Sequence, residues 1–239
     1  MVGTPVQAAK GIQDNPELAF NDFMRWGEDP NPEWVRYYVE NSSRLIHDWL
    51  TGMGIEFGDV GRNPGNTVPQ VHRTQGGGRA LVTAIYRECL KFSNIDFTWN
   101  HKVTGLLRED NRVVGVEAEN LRNGEKLEVR ASAVILATGG FQSNLEMVRE
   151  FWSEDMKVPE RILLSSGIEA LGSGLELARE AGASLNYLDH QWNYSSGIPN
   201  PVYPGTDRGL FARSSAAIWV NMEGRRFVNE SDSVKVTTP

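Results

Sequence analysis

The segment at residues 133–141 combines an apolar run with two adjacent glycines, a pairing suited to binding a flat molecule. Residues 134–136 are continuously apolar, as in a strand buried on both faces. Gly139 and Gly140 then remove side chains where another backbone or a ligand must come close. The segment therefore predicts a buried strand whose end contacts a flat cofactor such as a flavin, with a plain tight turn as the alternative.

Three further segments contain glycines in a similar setting, at residues 73–81, 172–183 and 224–231. The first has three consecutive glycines before a predicted helix, which places free amides at the helix N-terminus. Such amides carry partial positive charge and suit an electron-rich edge such as the flavin carbonyls. His72, just upstream, is a candidate wall of the same pocket. A flexible loop is the alternative interpretation.

In this order and at these separations, the four segments resemble the FAD-dependent fumarate reductase and 3-ketosteroid dehydrogenase superfamily over residues 11–231. These flavoprotein oxidoreductases reduce or desaturate activated carbon-carbon bonds. The resemblance implies a mixed α/β (α+β) fold, with an incomplete FAD-binding domain over residues 1–190 and the start of a capping domain over residues 191–239. The family's strand followed by GxGxxG, which holds the FAD pyrophosphate, is missing. We therefore expect an internal fragment of a longer FAD-dependent oxidoreductase, inactive and at best a weak FAD binder by itself.

The resemblance also implies which residues contact FAD. Two glycine-containing turns would offer backbone to the flavin, and one strand position would lie beside the adenine. The expected contacts are Gln75, Gly76, Gly77, Gly78, Val103, Ala137, Thr138, Gly139 and Gly140.

Polar side chains near the predicted domain boundary are the candidates for catalysis: Tyr194, Arg213, Arg208 and His190. By resemblance, Tyr194 aligns with a histidine that binds a substrate carboxylate, and Arg213 aligns with an arginine of the proton path in fumarate reductases. Where relatives have a proton-donating arginine or tyrosine, this chain has Val234, which cannot transfer a proton. We expect Tyr194 with Arg213 to handle the proton, and Arg208 or Arg213 to polarise the substrate. A dicarboxylate and an enone such as a steroid are both compatible with these residues as substrates. The identity of the electron donor or acceptor is left open.

Helices and strands must hold these groups in place. Asn31 as N-cap and Pro32 as the first helical residue begin an amphipathic helix, whose stripe includes Trp34 and Trp49 and is expected to pack on the core. An Asn-Gly pair at residues 123–124 is a hairpin signal. Strands are expected at residues 96–98, 102–108, 113–119 and 126–130, and further helices at 79–91, 145–152 and 172–183.

Composition excludes several other classes of function. The chain has 239 residues and a net charge of -7, which argues against a nucleic-acid partner. A single cysteine, Cys89, excludes an internal disulfide framework, and the four histidines show no metal-ligand spacing. No apolar run approaches the roughly 20 residues of a membrane span. We expect a cytoplasmic protein, with the periplasm left open, and a cofactor-free fragment or a non-catalytic ligand-binding paralogue as alternatives to the enzyme.

Overall fold

The computed structural model describes residues 1–63, 65–165, 167–194, 197–211 and 218–228. The chain divides into two compact units, Met1–Phe97 and Thr98–Pro239. Both contain helices and antiparallel strands. The mixed α/β fold class expected from the sequence is thus confirmed. The expected boundary between an FAD-binding and a capping domain, at residues 190–191, stays a prediction.

The first unit begins with a run of helical segments, the first three of which start at caps that the sequence encodes. They are α1 (Pro5–Ala9), α2 (Pro16–Trp26), α3 (Pro32–Ser42), a π-helical segment (Ser43–Asp48) and α4 (Trp49–Gly52). Thr4, Asn15 and Asn31 each accept a bond from a first-turn amide, and a proline follows each of them. The predicted start at Asn31 is confirmed.

The core of the first unit lies between α2, α3 and the N-terminal residues. It consists of Val2, Ala19 and Val39, with Phe20, Val35 and Tyr38 packed against them. The predicted stripe is correct for Val39 and wrong for Trp34 and Trp49, which are exposed. For Trp49, the reason is that the helix changes to π-helical winding after Ser42, which shifts the faces of the residues that follow. Trp34 lies before this change, in the first turn of α3.

Two short strands and a long helix complete the first unit. β1 (Phe57–Gly61) pairs antiparallel with β2 (Val71–Thr74), and β2 leads into α5 (Gly77–Cys89). The helix predicted over residues 79–91 is confirmed, with its start two residues earlier. Cys89 is half-buried.

The second unit begins with a three-stranded antiparallel meander. It comprises β3 (His101–Glu109), β4 (Arg112–Asn120) and β5 (Lys126–Arg130). These match three of the predicted strands, and Gly124 adopts the left-handed conformation (φ 74°) that the hairpin requires. The strand predicted over residues 96–98 does not form. Instead, Phe97 is held by an edge-on ring contact with Tyr86, with centroids 5.0 Å apart.

The remaining elements of the second unit are short. They are α6 (Leu145–Glu150), α7 (Ser173–Glu180) and a hairpin of β6 (Gly197–Pro199) and β7 (Gly209–Phe211). Both predicted helices are confirmed. No helix among the described residues is long and apolar enough to cross a membrane.

Candidate functional site

The predicted flavin turn of the first unit has the expected backbone geometry. Gly76 and Gly77 have φ values of 76° and 62°, and no side chain caps the 13-residue helix α5 that follows. An added Cβ at Gly77 or Gly78 would meet no atom within 4 Å. The first amides of α5 are therefore accessible to an electron-rich ligand edge. Gln75, which precedes them, is exposed.

His72 lies on β2, three positions before that turn, and is bonded on both ring nitrogens. Nε2 lies 2.6 Å from the Thr4 hydroxyl, and Nδ1 lies 3.0 Å from the carbonyl oxygen of Gln70. Burial lowers the pKa of His72, and the Met1 amine and His47 lower it further, against the opposing hydrogen bond to Gln70 and the charge of Asp14. The ring is therefore neutral at pH 7.

The strand predicted before Gly139 is not formed. Residues 133–140 have no regular structure, and Ile135 is 89 % exposed. A strand buried on both faces needs a neighbour on each side, and within the described chain the ladder ends with the bond from the Ala131 amide to the Val114 carbonyl.

Instead, a hydrogen bond and a close packing contact hold the segment around Gly139 and Gly140 against the start of α7. The Gly172 amide donates to the Gly140 carbonyl at 3.1 Å, and Gly174 packs on Thr138 so closely that a Cβ there would overlap its hydroxyl. Gly139 has φ 73° and open space where a Cβ would be. Thr138, Gly139 and Gly140 are therefore brought together with the beginning of a second uncapped helix.

The other expected cofactor contacts are distributed over the chain. Val103 lies on β3 opposite Ala118 and is exposed over 38 % of its surface. Ala137 directly precedes Thr138 in the irregular segment and is exposed. Val103 and residues 137–140 belong to the second unit, whereas residues 75–78 belong to the first. The expected turn forms in the first unit, whereas the strand expected before Gly139 does not form in the second.

Each unit, taken by itself, offers groups of the kind that suit an FAD molecule. Left-handed glycines at residues 76, 77 and 139 remove the side chains that would block a ring. The helix starts at α5 and α7 offer unbonded amides and no capping carboxylate. A bound FAD would be held chiefly by backbone groups.

Among the catalytic candidates, Tyr194 has the most defined surroundings. Its ring stacks on Trp192, with centroids 6.2 Å apart and planes 12° apart, and meets Phe211 edge-on at 5.2 Å. All three rings are about half exposed or more, and Trp192 is 70 % exposed. We call Trp192, Tyr194 and Phe211 the aromatic cluster. A contiguous exposed patch of this kind is typical of a binding surface.

Two other catalytic candidates, Arg208 and His190, each contact a different tyrosine ring. The Arg208 guanidinium lies over the ring of Tyr203, 5.1 Å from its centroid. His190 packs against Tyr187, with ring centroids 4.8 Å apart. Arg213 lies outside the described residues, as does Val234.

Three features of the site have little or no signal in the sequence. Gln191 donates to the carbonyls of Val148 and Phe151 at 3.0 and 2.8 Å, closing the end of α6. Thr4 and His72 are 68 positions apart, so no local pattern links them. Phe211 joins the aromatic cluster through the β6–β7 pairing, where it lies opposite Gly197. For the aromatic cluster, the indication that the sequence offered was the concentration of aromatic residues after residue 189.

The described residues contain no group of three or more His, Cys, Asp or Glu side chains arranged to hold a metal ion. The groups described above are backbone amides, aromatic rings, the Tyr194 phenol and the Arg208 guanidinium.

Comparison with known proteins identifies the family. The profile of the FAD binding domain family (FAD_binding_2) matches residues 1–238. A KsdD-like steroid dehydrogenase of Mycobacterium tuberculosis is 30 % identical over 95 % of this chain, and a fumarate reductase (cytochrome) of Shewanella frigidimarina is 35 % identical over 95 %. The open conformation of a flavocytochrome c3 fumarate reductase superposes with a TM-score of 0.78 at 28 % identity, covering 98 % of this chain.

The chain therefore belongs to the FAD binding domain family, within the fumarate reductase and ketosteroid dehydrogenase superfamily, and FAD is the cofactor of that family. It spans less than half of these relatives: 45 % of the steroid dehydrogenase, 39 % of the fumarate reductase and 41 % of the flavocytochrome. The predicted superfamily is confirmed, and so is FAD as the cofactor of that family.

Proposed function

We propose that the complete protein carrying this chain transfers hydride between FAD and a carbon next to an electron-withdrawing group, in a substrate with an apolar ring. The names of its relatives, a steroid dehydrogenase and fumarate reductases, support redox chemistry at a carbon-carbon bond. The bound flavin supplies the hydride-transferring atom. The protein residues bind the substrate, exclude water and move one proton.

The aromatic cluster is the observation that carries the choice of an apolar substrate. Tyr194, the expected proton-transfer residue, is flanked by Trp192 and Phe211. A dicarboxylate would lose hydration against these rings without gaining an ion pair from them, whereas an apolar ring would bury its own surface. An enone is therefore favoured over fumarate.

Each remaining candidate has a role in this proposal. The Tyr194 hydroxyl moves the proton, and Arg213 is its expected partner in that transfer. Arg208 and His190 are candidates for polarising the substrate carbonyl. Residues 75–78 and 137–140 hold the flavin, and Val103 contacts the adenine.

The test is a comparison of substrates with the complete protein. A reduced artificial electron donor would keep the flavin reduced under anaerobic conditions, and turnover would be followed with a cyclic enone and with fumarate. We expect kcat/KM for the enone to exceed that for fumarate by about tenfold or more, corresponding to roughly 1.4 kcal/mol. Turnover of fumarate alone would contradict the substrate class. If the purified protein contained no flavin, this result would support one of the two alternatives, a non-catalytic ligand-binding paralogue or a chain that has no cofactor.

A further inference from the structure

Gln191 supplies the hydrogen-bond donors at the end of helix α6. Its side-chain amide nitrogen donates to the carbonyl oxygens of Val148 and Phe151, at 3.0 and 2.8 Å. The last carbonyls of a helix have no partner within the helix and need a donor from outside. Val148 is buried and Phe151 is half-buried, so Gln191 takes the place of water there. Because an amide nitrogen carries two hydrogens, Gln191 can give one to each carbonyl.

These two bonds anchor the segment that leads into the aromatic cluster. Gln191 directly precedes Trp192, and Tyr194 follows two residues later. Residues 191–194 form neither a helix nor a strand, so no ladder of backbone bonds holds them in place. The bonds to α6 span 43 and 40 positions of sequence. The Gln191 side chain is therefore a tertiary anchor for this irregular segment.

The start of α6 is bound to the segment that is expected to contact flavin. Asn144 caps the helix and donates its side-chain amide to the Leu171 carbonyl at 3.2 Å. The next residue, Gly172, donates its amide to the Gly140 carbonyl at 3.1 Å. Gly172 also packs so closely on Met147 of α6 that a Cβ would overlap the methionine sulfur. The first turn of α6 is thus fixed to the glycine pair.

Helix α6 is a short, rigid spacer between these two attachments. It has six residues, which corresponds to a length of about 9 Å. Its buried side chains are Met147 and Val148. At its end, the Phe151 ring meets the ring of Phe141 edge-on, with centroids 5.8 Å apart, and Phe141 directly follows Gly140. Both ends of α6 therefore contact parts of the candidate site.

Ring contacts alone would define the position of Tyr194 less sharply than this anchor does. The Tyr194 ring stacks on Trp192 at 6.2 Å and meets Phe211 at 5.2 Å. Favourable aromatic pairs occur over centroid separations of about 4.5 to 7 Å. Hydrogen bonds from N–H to oxygen stay within about 2.7 to 3.2 Å. The two bonds of Gln191 therefore restrict the segment to a narrower range of positions.

We propose that Gln191 is a positioning residue, which sets the place of Tyr194 relative to the flavin-contacting glycines through helix α6. Without its two bonds, residues 191–194 shift, and the Tyr194 hydroxyl leaves the position from which it moves the proton. A misplacement of about 1 Å can cost on the order of 100-fold in rate. The inference rests on the proposed function, because it takes Tyr194 as the proton-transfer residue and residues 137–140 as flavin contacts.

The first measurement does not depend on flavin or substrate. The His190 amide donates to the Tyr187 carbonyl at 3.1 Å in the turn just before Gln191, and its hydrogen-exchange protection is measured in the complete protein. Gln191→Met keeps a similar length and removes the donor, so we expect a loss of protection of about tenfold or more. In Gln191→Lys, the ammonium can donate to the final carbonyls of the helix, and protection should stay close to wild type. Equal protection in all three proteins would overturn the inference.

The second measurement is turnover of a cyclic enone by the complete protein, with the FAD content determined in parallel. Gln191→Met should lower kcat by about tenfold to 100-fold at unchanged FAD content, and Gln191→Lys should restore most of it. Asn41→Leu is the control, since the Asn41 side-chain amide also donates to a helix carbonyl, that of Tyr37, at 2.8 Å. Its kcat should match the wild type. A wild-type kcat in Gln191→Met would contradict the positioning role.

A combined variant separates positioning from a general loss of stability. Tyr194→Phe should lower turnover by about 100-fold or more. If Gln191 acts through the Tyr194 hydroxyl, adding Gln191→Met should slow Tyr194→Phe by no more than about twofold, because the group being positioned is already gone. Losses that multiply in the double variant would overturn the inference. If Tyr194→Phe itself turns over at the wild-type rate, the proposed function of Tyr194 fails, and the exchange data alone decide whether Gln191 anchors the segment.

Discussion

Thr138 packs directly on Gly174, with no room for a Cβ between the threonine hydroxyl and helix α7. The bond from the Gly172 amide to the Gly140 carbonyl lies beside this contact. Together they hold the expected flavin-binding glycines against a helix start, although residues 133–136 form no strand. The position of Gly139 therefore depends on close backbone packing in the second unit.

Replacing Gly174 with alanine should consequently destabilise the protein. The added methyl group overlaps the Thr138 hydroxyl and forces α7 or the glycine segment to move, at a cost of about 1–3 kcal/mol. Gly167→Ala is the control, because a Cβ at residue 167 meets no atom within 4 Å. Chemical denaturation would compare them, and a Gly174→Ala variant as stable as Gly167→Ala would show that the contact is looser than described.

Gly139 and Gly124 provide a matched pair for the flavin contact. Their φ values are 73° and 74°, and a Cβ at either residue meets no atom within 4 Å. Valine at either position therefore imposes similar backbone strain, about 1–3 kcal/mol. In the complete protein we expect Gly139→Val to lose FAD and Gly124→Val to keep it, as measured by the ratio of flavin to protein absorbance. Equal flavin content in the two folded variants would remove Gly139 from the cofactor site.

Tyr38 should make the first unit less stable at high pH. Burial raises the pKa of its phenol, and the ring packs edge-on against Phe23 with centroids 5.7 Å apart. Because the folded-state pKa is raised, the neutral phenol favours the folded state fully below about pH 10, and that stability is lost as the pH rises through the raised value.

Urea unfolding at about pH 9 and about pH 11 would detect this loss. Tyr38→Phe should show a smaller alkaline decline in the free energy of unfolding than the wild type. Tyr37→Phe is the matched control, since Tyr37 is the exposed neighbour on the same helix, and it should decline as the wild type does. Identical declines in all three proteins would mean that Tyr38 ionises as easily in the folded state as in the unfolded chain.

Tyr194 is the residue on which the proposed proton transfer depends. Tyr194→Phe keeps the ring between Trp192 and Phe211 and removes the hydroxyl, and Arg213→Ala removes its expected partner. Each should lower turnover by about 100-fold or more with FAD still bound, because loss of a general acid costs roughly 100-fold to 10,000-fold.

Tyr203→Phe is the control for this experiment, since it removes a hydroxyl in the same part of the chain and keeps the ring beneath Arg208. It should turn over at close to the wild-type rate. Wild-type turnover in both Tyr194→Phe and Arg213→Ala would eliminate this pair as the proton-transfer group.

Local signals in the sequence account for most of the helices and strands. Asn31 with Pro32 predicted the start of α3, and Asn123-Gly124 predicted the β4–β5 hairpin, because capping and turn chemistry act within a few residues. The strand expected at residues 134–136 failed because strand formation needs partners that a local apolar run does not specify. The link between Thr4 and His72 and the contact between Thr138 and Gly174 were not predictable, since both join segments far apart in sequence.

Anaerobic spectroscopy of the complete protein is the decisive measurement for hydride transfer. We expect the protein to purify with FAD absorbance, chemical reduction to bleach this absorbance, and a cyclic enone to restore it in the absence of oxygen. Tyr194→Phe should bind the same amount of FAD and recover about 100-fold more slowly or worse. A protein that binds FAD, yet whose reduced flavin is restored by neither an enone nor fumarate, would contradict the proposed hydride transfer to an activated carbon-carbon bond.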